Sequence, residues 1–268
     1  MIRREGVLVR LKKPRIDPMR FVASVDDEVG VAVRRYLSRP NPGDEKLARE
    51  ALAGMRRTRK WRDGGLPAAT SILARSVALG GDLEEAAEAI FTLQDNAAEG
   101  SVFASGFFAC DAATLEQPGL VKSNADEYAH NVYALEVLIA SGRGKDKRVS
   151  KALDTFRRLA ANGSYCCRHC THMTLRLWAL LSDQNESPIR NGLGWLWGRE
   201  MANGRIRSPV FMLDTLNRLP IEDARARTLS LLLQVIPQQG RDGSWGRVKK
   251  TEATAVVVRA LDRAEGKT

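Results

Sequence analysis

The chain has 268 residues, 44% of them hydrophobic and 28% charged, which fits one large or two small folded domains and excludes a generally disordered chain. Its 42 Lys and Arg against 32 Asp and Glu give a formal charge of +10. That balance points to an anionic partner (nucleic acid, an acidic lipid surface or a phosphorylated small molecule) without choosing among them, and a merely solvated basic surface fits it equally well. No apolar stretch approaches the ~20 residues of a membrane span. The run Gly6-Val7-Leu8-Val9 is too short for a signal-peptide core. Three of the four cysteines fall within five positions, which suits a reducing compartment and metal or thiol chemistry better than a disulfide framework, so a cytoplasmic location is expected.

In chain order, residues 1–25 read as a basic N-terminal arm. Arg3, Arg4, Arg10, Lys12, Lys13, Arg15 and Arg20 oppose only Glu5 and Asp17, so half of the net charge lies in the first twenty residues, and the arm is the natural contact for an anionic partner. Val7, Val9 and Leu11 alternate with Leu8, Arg10 and Lys12 in a weak strand pattern. Pro14 and Pro18 argue for an arm rather than a helix. A helix is expected over 26–37 with Asp26 as N-cap and Asp27 and Glu28 in its first turn, where the helix dipole favours acids. Pro40-Asn41-Pro42-Gly43 ends it.

Beyond Pro42 the chain repeats itself. An acidic or amide residue followed by Gly recurs in Asp63-Gly64-Gly65-Leu66, Glu99-Gly100-Ser101-Val102, Asn162-Gly163-Ser164-Tyr165, Asn203-Gly204-Arg205-Ile206 and Asp242-Gly243-Ser244-Trp245. The glycines are 36, 63, 41 and 39 residues apart, a period of stacked helix pairs, with the long interval explained by an insertion at 109–123. Amphipathic helices precede the turns: Leu83, Ala86, Ala87, Ile90 and Leu93 form one apolar face, and Val149, Ala152, Leu153, Phe156, Leu159 and Ala160 another. Helices with less polar periphery follow them, over 173–181 and 253–261. The expected fold is all-α: an (α/α) toroid or incomplete toroid of about five helix pairs over 26–264, with a short tail at 265–268.

Gln238-Gln239-Gly240-Arg241-Asp242-Gly243-Ser244-Trp245 resembles the glutamine–tryptophan repeat of terpenoid cyclases and protein prenyltransferase β-subunits. Asn162-Gly163-Ser164-Tyr165 resembles its turn without the Gln, and the other three turns keep little beyond the glycine. The resemblance covers about 45–264 and implies the same (α/α) toroid, a central apolar cavity and isoprenoid chemistry.

Chemistry concentrates in Cys166-Cys167-Arg168-His169-Cys170-Thr171-His172. Thiolates and imidazoles are the ligands zinc prefers. On a continuous helix the three cysteines lie on one side and His169 and His172 on the other. If 166–169 stay in the turn, Cys167, Cys170 and His172 converge instead. A fourth ligand must come from elsewhere or be an open water position; Asp126 and His130, four apart on one face of the expected neighbouring inner helix, could add one. Zinc is therefore the expected cofactor, with Cys166, Cys167, Cys170, His172 and His130 as candidate ligands. Packed thiols and redox chemistry remain open, although a disulfide between adjacent Cys166 and Cys167 would be strained. The resemblance implies a catalytic zinc near inner-helix starts, but the Asp-x-Cys pair of the prenyltransferases has no counterpart here.

The acid motifs of both classes of terpene cyclase, Asp-x-Asp-Asp and Asp-Asp-x-x-Asp, are absent. Asp111, Asp126, Glu127 and Asp214 are the remaining acid candidates, the last three the leading ones; Asp214 stands in the apolar run Phe211–Leu216, where burial would make a carboxyl a general acid. Basic stretches at 56–62 (around Trp61), 143–158 and 247–250 suit phosphate contacts or solvated faces. The leading expectation is an isoprenoid-handling enzyme, zinc-assisted, taking an apolar or diphosphate small molecule into a central cavity, with a partner subunit not excluded. The alternative is a non-catalytic helical-repeat module presenting a basic face to a protein, peptide or nucleic acid. A saccharide- or peptide-active toroid is a weaker third reading, since only 6% of residues are aromatic.

Overall fold

The computed structural model describes residues 2–4, 7–9, 11, 13–62, 64–94, 108, 120–159, 167–181 and 186–267, and is mostly helical. Among the described residues no helix is long and apolar enough to cross a membrane. The chain divides into two compact units, one of residues 1–49 with 200–268, the other of residues 50–199.

The first unit joins the two ends of the chain. It opens with an antiparallel hairpin, β1 (Ile2–Arg4) and β2 (Val7–Val9), where the weak alternation stands. Helix α1 (Pro18–Ala23) follows, a correction to the expectation that Pro14 and Pro18 keep this stretch non-helical. Proline is tolerated at the first helical position because that N–H has no intrahelical partner, and Asp17 caps the turn by accepting from the Met19 N–H at 3.0 Å. Helix α2 (Glu28–Tyr36) is capped by Asp27 rather than Asp26: Asp27 Oδ1 accepts the Gly30 N–H at 2.8 Å from an extended backbone. Only glycine fits at 30, because a Cβ there would stand 2.0 Å from the carbonyl oxygen of Val25. Helix α3 (Asp44–Thr58) begins after the Pro-rich turn.

After residue 200 come β3 (Met201–Ala202) and β4 (Arg205–Ile206), joined by Asn203-Gly204 at φ +49° and +72°, the left-handed pair that a two-residue hairpin turn requires. We number the remaining helices of this unit α10 (Pro209–Arg218), α11 (Glu222–Val235) and α12 (Lys250–Ala264). Helix α12 packs on α1, α2, α10 and α11. Val22, Val33, Leu37, Ala255 and Val258 form the buried cluster between the first and last helices. Residues 13–23 are thus docked, not a loose arm.

The second unit holds α4 (Gly65–Ala78), α5 (Glu84–Thr92), α6 (Leu120–Leu138), α7 (Lys147–Leu159), α8 (Arg168–Leu180) and α9 (Glu186–Glu200, its last residue across the division). Alternate helices α4, α6 and α8 pack side by side, with α5 against α4 and α7 against α6. The amphipathic faces explain the assignment. Leu83, Ala86, Ala87 and Ile90 are buried beside α4, and Val149, Ala152, Leu153 and Phe156, spaced i, i+3, i+4 and i+7, are buried on α7. Helix α8 is buried almost throughout, from Cys170 to Leu175 and again at Leu177 and Trp178. The glycine turns at 100 and 163, and residues 109–119 of the expected insertion, lie outside the described residues.

Candidate functional site

The start of α8 is the chemically densest place in the second unit. Helical geometry begins at Arg168, with Cys167 as N-cap in an extended conformation. Its Sγ accepts the Cys170 N–H at 3.4 Å, and Thr171 Oγ1 donates to the Cys167 carbonyl at 2.9 Å. The Cys167 and Cys170 sulfurs lie 3.4 Å apart. Cys167 is half-buried and Cys170 wholly buried.

His172 is also buried, but it does not join the two sulfurs in a metal-binding group, contrary to the converging arrangement of Cys167, Cys170 and His172. The reason is angular: once 168–172 are helical, His172 is turned about 200° from Cys170. His130 is half-buried on α6, the helix packed against α8. Among the described residues no three His, Cys, Asp or Glu side chains gather to hold a metal ion. Two sulfurs are half of a tetrahedral zinc set, so the described side chains do not fit a zinc centre. Cys166 lies outside the described residues, as do the side chains of Asp126 and Glu127, whose backbone belongs to α6.

Asp214 lies on α10 in the other compact unit. It is not enclosed as a buried acid would be: its side chain is 23% exposed and stands 3.6 Å from Arg218 Nε, one turn on.

Two of the basic stretches lie in the second unit, and they differ. Trp61 is 3% exposed and offers no stacking surface to a nucleotide, although Arg56, Arg57, Arg59, Lys60 and Arg62 around it are exposed. Arg143 pairs with Asp82 at 3.1 Å and with Glu84. Arg148 pairs with Asp146 at 2.8 Å and Glu88 at 3.4 Å, and its guanidinium lies 3.6 Å from the centre of the Phe91 ring. The hydrogen bond from Arg148 holds Asp146 below the usual carboxylate range. These cations tie α7 to α5.

The first unit is different. It carries 24 Lys and Arg against 15 Asp and Glu, a charge of +9, while the second carries 18 against 17, a charge of +1. Part of that excess is structural: Arg34 pairs with Asp44, and Arg39 with Asp262 at 2.9 Å. Arg263 donates to the Leu216 and Leu219 carbonyls at 2.6 and 2.5 Å, closing the end of α10. Burial first, then the charges of Arg259 and Arg225, push the Arg263 guanidinium below its ordinary basicity. Arg259 lies 5.9 Å over the Tyr36 ring. Among the described residues no carboxylate pairs with Arg225 or Arg259. Sequence reading passed over this group. The i, i+4 spacing of Arg259 and Arg263 was the only local signal, and Arg225 and Tyr36 are brought beside it by packing.

The last glycine turn shows its construction. Gln239 Oε1 accepts the Ile16 N–H at 3.1 Å, and its Nε2 donates to the carbonyls of Ile16 at 2.7 Å and Gly243 at 3.0 Å. Trp245, 1% exposed, donates Nε1–H to the Val235 carbonyl at 2.9 Å, and its backbone N–H donates to Thr254 Oγ1 at 3.0 Å. Gly243 has φ +87°, and a Cβ there would stand 3.2 Å from the Ile16 side chain. Glutamine and tryptophan therefore bind the turn to the segment before α1, to α11 and to α12.

No family model matches the chain, and neither a curated protein nor a solved structure was found similar to it.

Proposed function

We propose that the chain is a helical-repeat binding module, of α/α hairpins stacked in the manner of a toroid, that engages a nucleic acid through the unit formed by its two ends. The carrying observation is the charge separation: +9 on the first unit against +1 on the second. Arg225 and Arg259, with no described carboxylate against either, are the arginines we assign to phosphate contact, together with the basic residues of the first twenty. The second unit supports the reading by contrast: its exposed cations at 56–62 are offset by acids elsewhere in the unit, and its Arg143, Arg148 and Arg176 are committed to internal ion pairs.

The test is binding of a labelled DNA duplex by the full chain across a salt series. The affinity is expected to fall steeply as salt rises, with a log–log slope of about −0.9 per phosphate neutralised. Arg225→Ala and Arg259→Ala are each expected to reduce that slope by about 1. Absence of binding at low salt, or binding indifferent to salt, rejects the proposal.

The Gln239–Trp245 turn favours a second reading, an isoprenoid-handling enzyme resembling terpenoid cyclases and prenyltransferases. On that reading an apolar cavity holds a prenyl chain, Asp126, Glu127 and Asp214 are acid candidates, and zinc requires ligands beyond Cys167 and Cys170. Metal analysis of freshly purified protein, and product analysis after incubation with a prenyl diphosphate, test it. Neither stoichiometric zinc nor a product leaves the binding module standing.

A further inference from the structure

We propose that Cys167 and Cys170 form a redox-active dithiol, which a disulfide-bearing partner converts to an intramolecular disulfide. This goes beyond the binding reading and does not depend on it. The sequence Cys167-Arg168-His169-Cys170 places the two thiols across the first turn of α8, and folding brings their sulfurs to 3.4 Å. Small side-chain rotations suffice to close that gap to the ~2.05 Å of a disulfide, whereas adjacent cysteines such as Cys166 and Cys167 are poorly placed to bond each other.

The two sulfurs are unequal, and that inequality orders the reaction. Cys167 is half-buried and reachable; Cys170 is wholly buried. The sulfur of Cys167 also receives the Cys170 N–H and faces the positive end of a thirteen-residue helix, both of which favour negative charge there. Cys167 is therefore the attacking thiol. Its thiolate displaces one thiolate from the partner disulfide R–S–S–R, and a mixed disulfide forms on Cys167. Cys170 then loses its proton to solvent and attacks the Cys167 sulfur, expelling the second thiolate. Two cysteine thiols are oxidised, the partner disulfide is reduced, and its two thiolates take up the two protons released.

The test uses the reduced full-length protein, equilibrated with graded mixtures of reduced and oxidised glutathione, quenched with N-ethylmaleimide and mapped by tryptic mass spectrometry. The expected result is joint loss of labelling at Cys167 and Cys170, with peptides 159–168 and 169–176 joined at the cost of two hydrogens. Cys170→Ser is expected to trap glutathione on Cys167, and Cys167→Ser to trap about tenfold less on Cys170, because the buried sulfur is out of reach. Cys170→Ala serves if circular dichroism shows that the serine variant has not folded. A second arm replaces glutathione with insulin; oxidation in that arm marks a protein disulfide as the partner, and oxidation only by glutathione marks a small one. The proposal is overturned if both thiols stay labelled at the oxidising end of both arms. It is also overturned if fragmentation and Cys166→Ser place the bond on Cys166, or if stoichiometric zinc protects both sulfurs.

Discussion

Arg34 and Asp44 form a buried ion pair: the guanidinium is 1% exposed, the carboxylate 6%, and they meet at 2.6 Å through Nη2 and 2.9 Å through Nε. The third nitrogen is used as well. Nη1 of Arg34 donates to the carbonyls of Val22 and Val25 at 2.9 and 2.7 Å, and Asp44 accepts the Asn41 N–H at 2.9 Å. One arginine thus ties the end of α1, the link to α2 and the start of α3.

Removing one partner strands the other charge in the interior. Arg34→Ala is expected to cost about 3–5 kcal/mol, whereas the double change Arg34→Met with Asp44→Leu costs much less because no uncompensated charge remains. Urea unfolding of the three proteins measures this. Equal losses in the single and double variants contradict it.

The same pair makes stability depend on acid. The Arg34 hydrogen bond, followed by the backbone bond from Asn41, holds the Asp44 carboxyl below the usual carboxylate range. Its contribution is therefore fully present above the unfolded pKa of about 3.9 and is lost as pH falls from there through the folded value. Urea midpoints measured from pH 7 down to pH 2 are expected to drop below about pH 4 in the native protein. The drop is smaller in the Arg34→Met, Asp44→Leu variant.

Gly30→Ala is expected to destabilise despite alanine's advantage of about 1 kcal/mol in a helix interior. The added methyl carbon would sit 2.0 Å from the Val25 oxygen, which is backbone and cannot rotate aside. A thermal melt unchanged or raised by the substitution refutes the close approach.

Gln239→Ala is expected to release the segment before α1. Its side chain holds both the N–H and the carbonyl of Ile16, so faster hydrogen exchange at the Ile16 amide should accompany a loss of about 1–3 kcal/mol. Trp245→Ala should cost more, about 3–5 kcal/mol, through the cavity it leaves between turn and helices. Exchange at Ile16 that is indifferent to Gln239→Ala contradicts the docking.

Local pattern carried much of the fold. The apolar spacing at 149–156 and 83–90 marked α7 and α5, the all-round apolar run marked α8 and α12, and Asn203-Gly204 marked a turn that only a left-handed pair completes. The N-cap of α2 slipped by one residue because Asp26 and Asp27 are chemically alike and only backbone direction separates them. Pro18 was misread because its cost depends on its position within a helix. Asp214 was expected to be buried from its apolar neighbours in sequence, but side chains on successive residues of a helix face different ways, and Asp214 is left 23% exposed, 3.6 Å from Arg218.

By itself the sequence determined that the chain is helical and basic, that it turns at Gly64, Gly204 and Gly243, and that thiols cluster at 166–170, because periodicity, turn chemistry and composition are local properties. Only the tertiary structure decided which charges are paired within the chain, since burial and pairing join residues far apart, as Arg39 with Asp262 and Arg143 with Asp82. It moved the basic excess from a twenty-residue arm to the unit built by both ends of the chain. Among the described residues it also brought the Cys167 and Cys170 sulfurs together, because a helix starting at Arg168 leaves Cys170 beside its cap while turning His172 away.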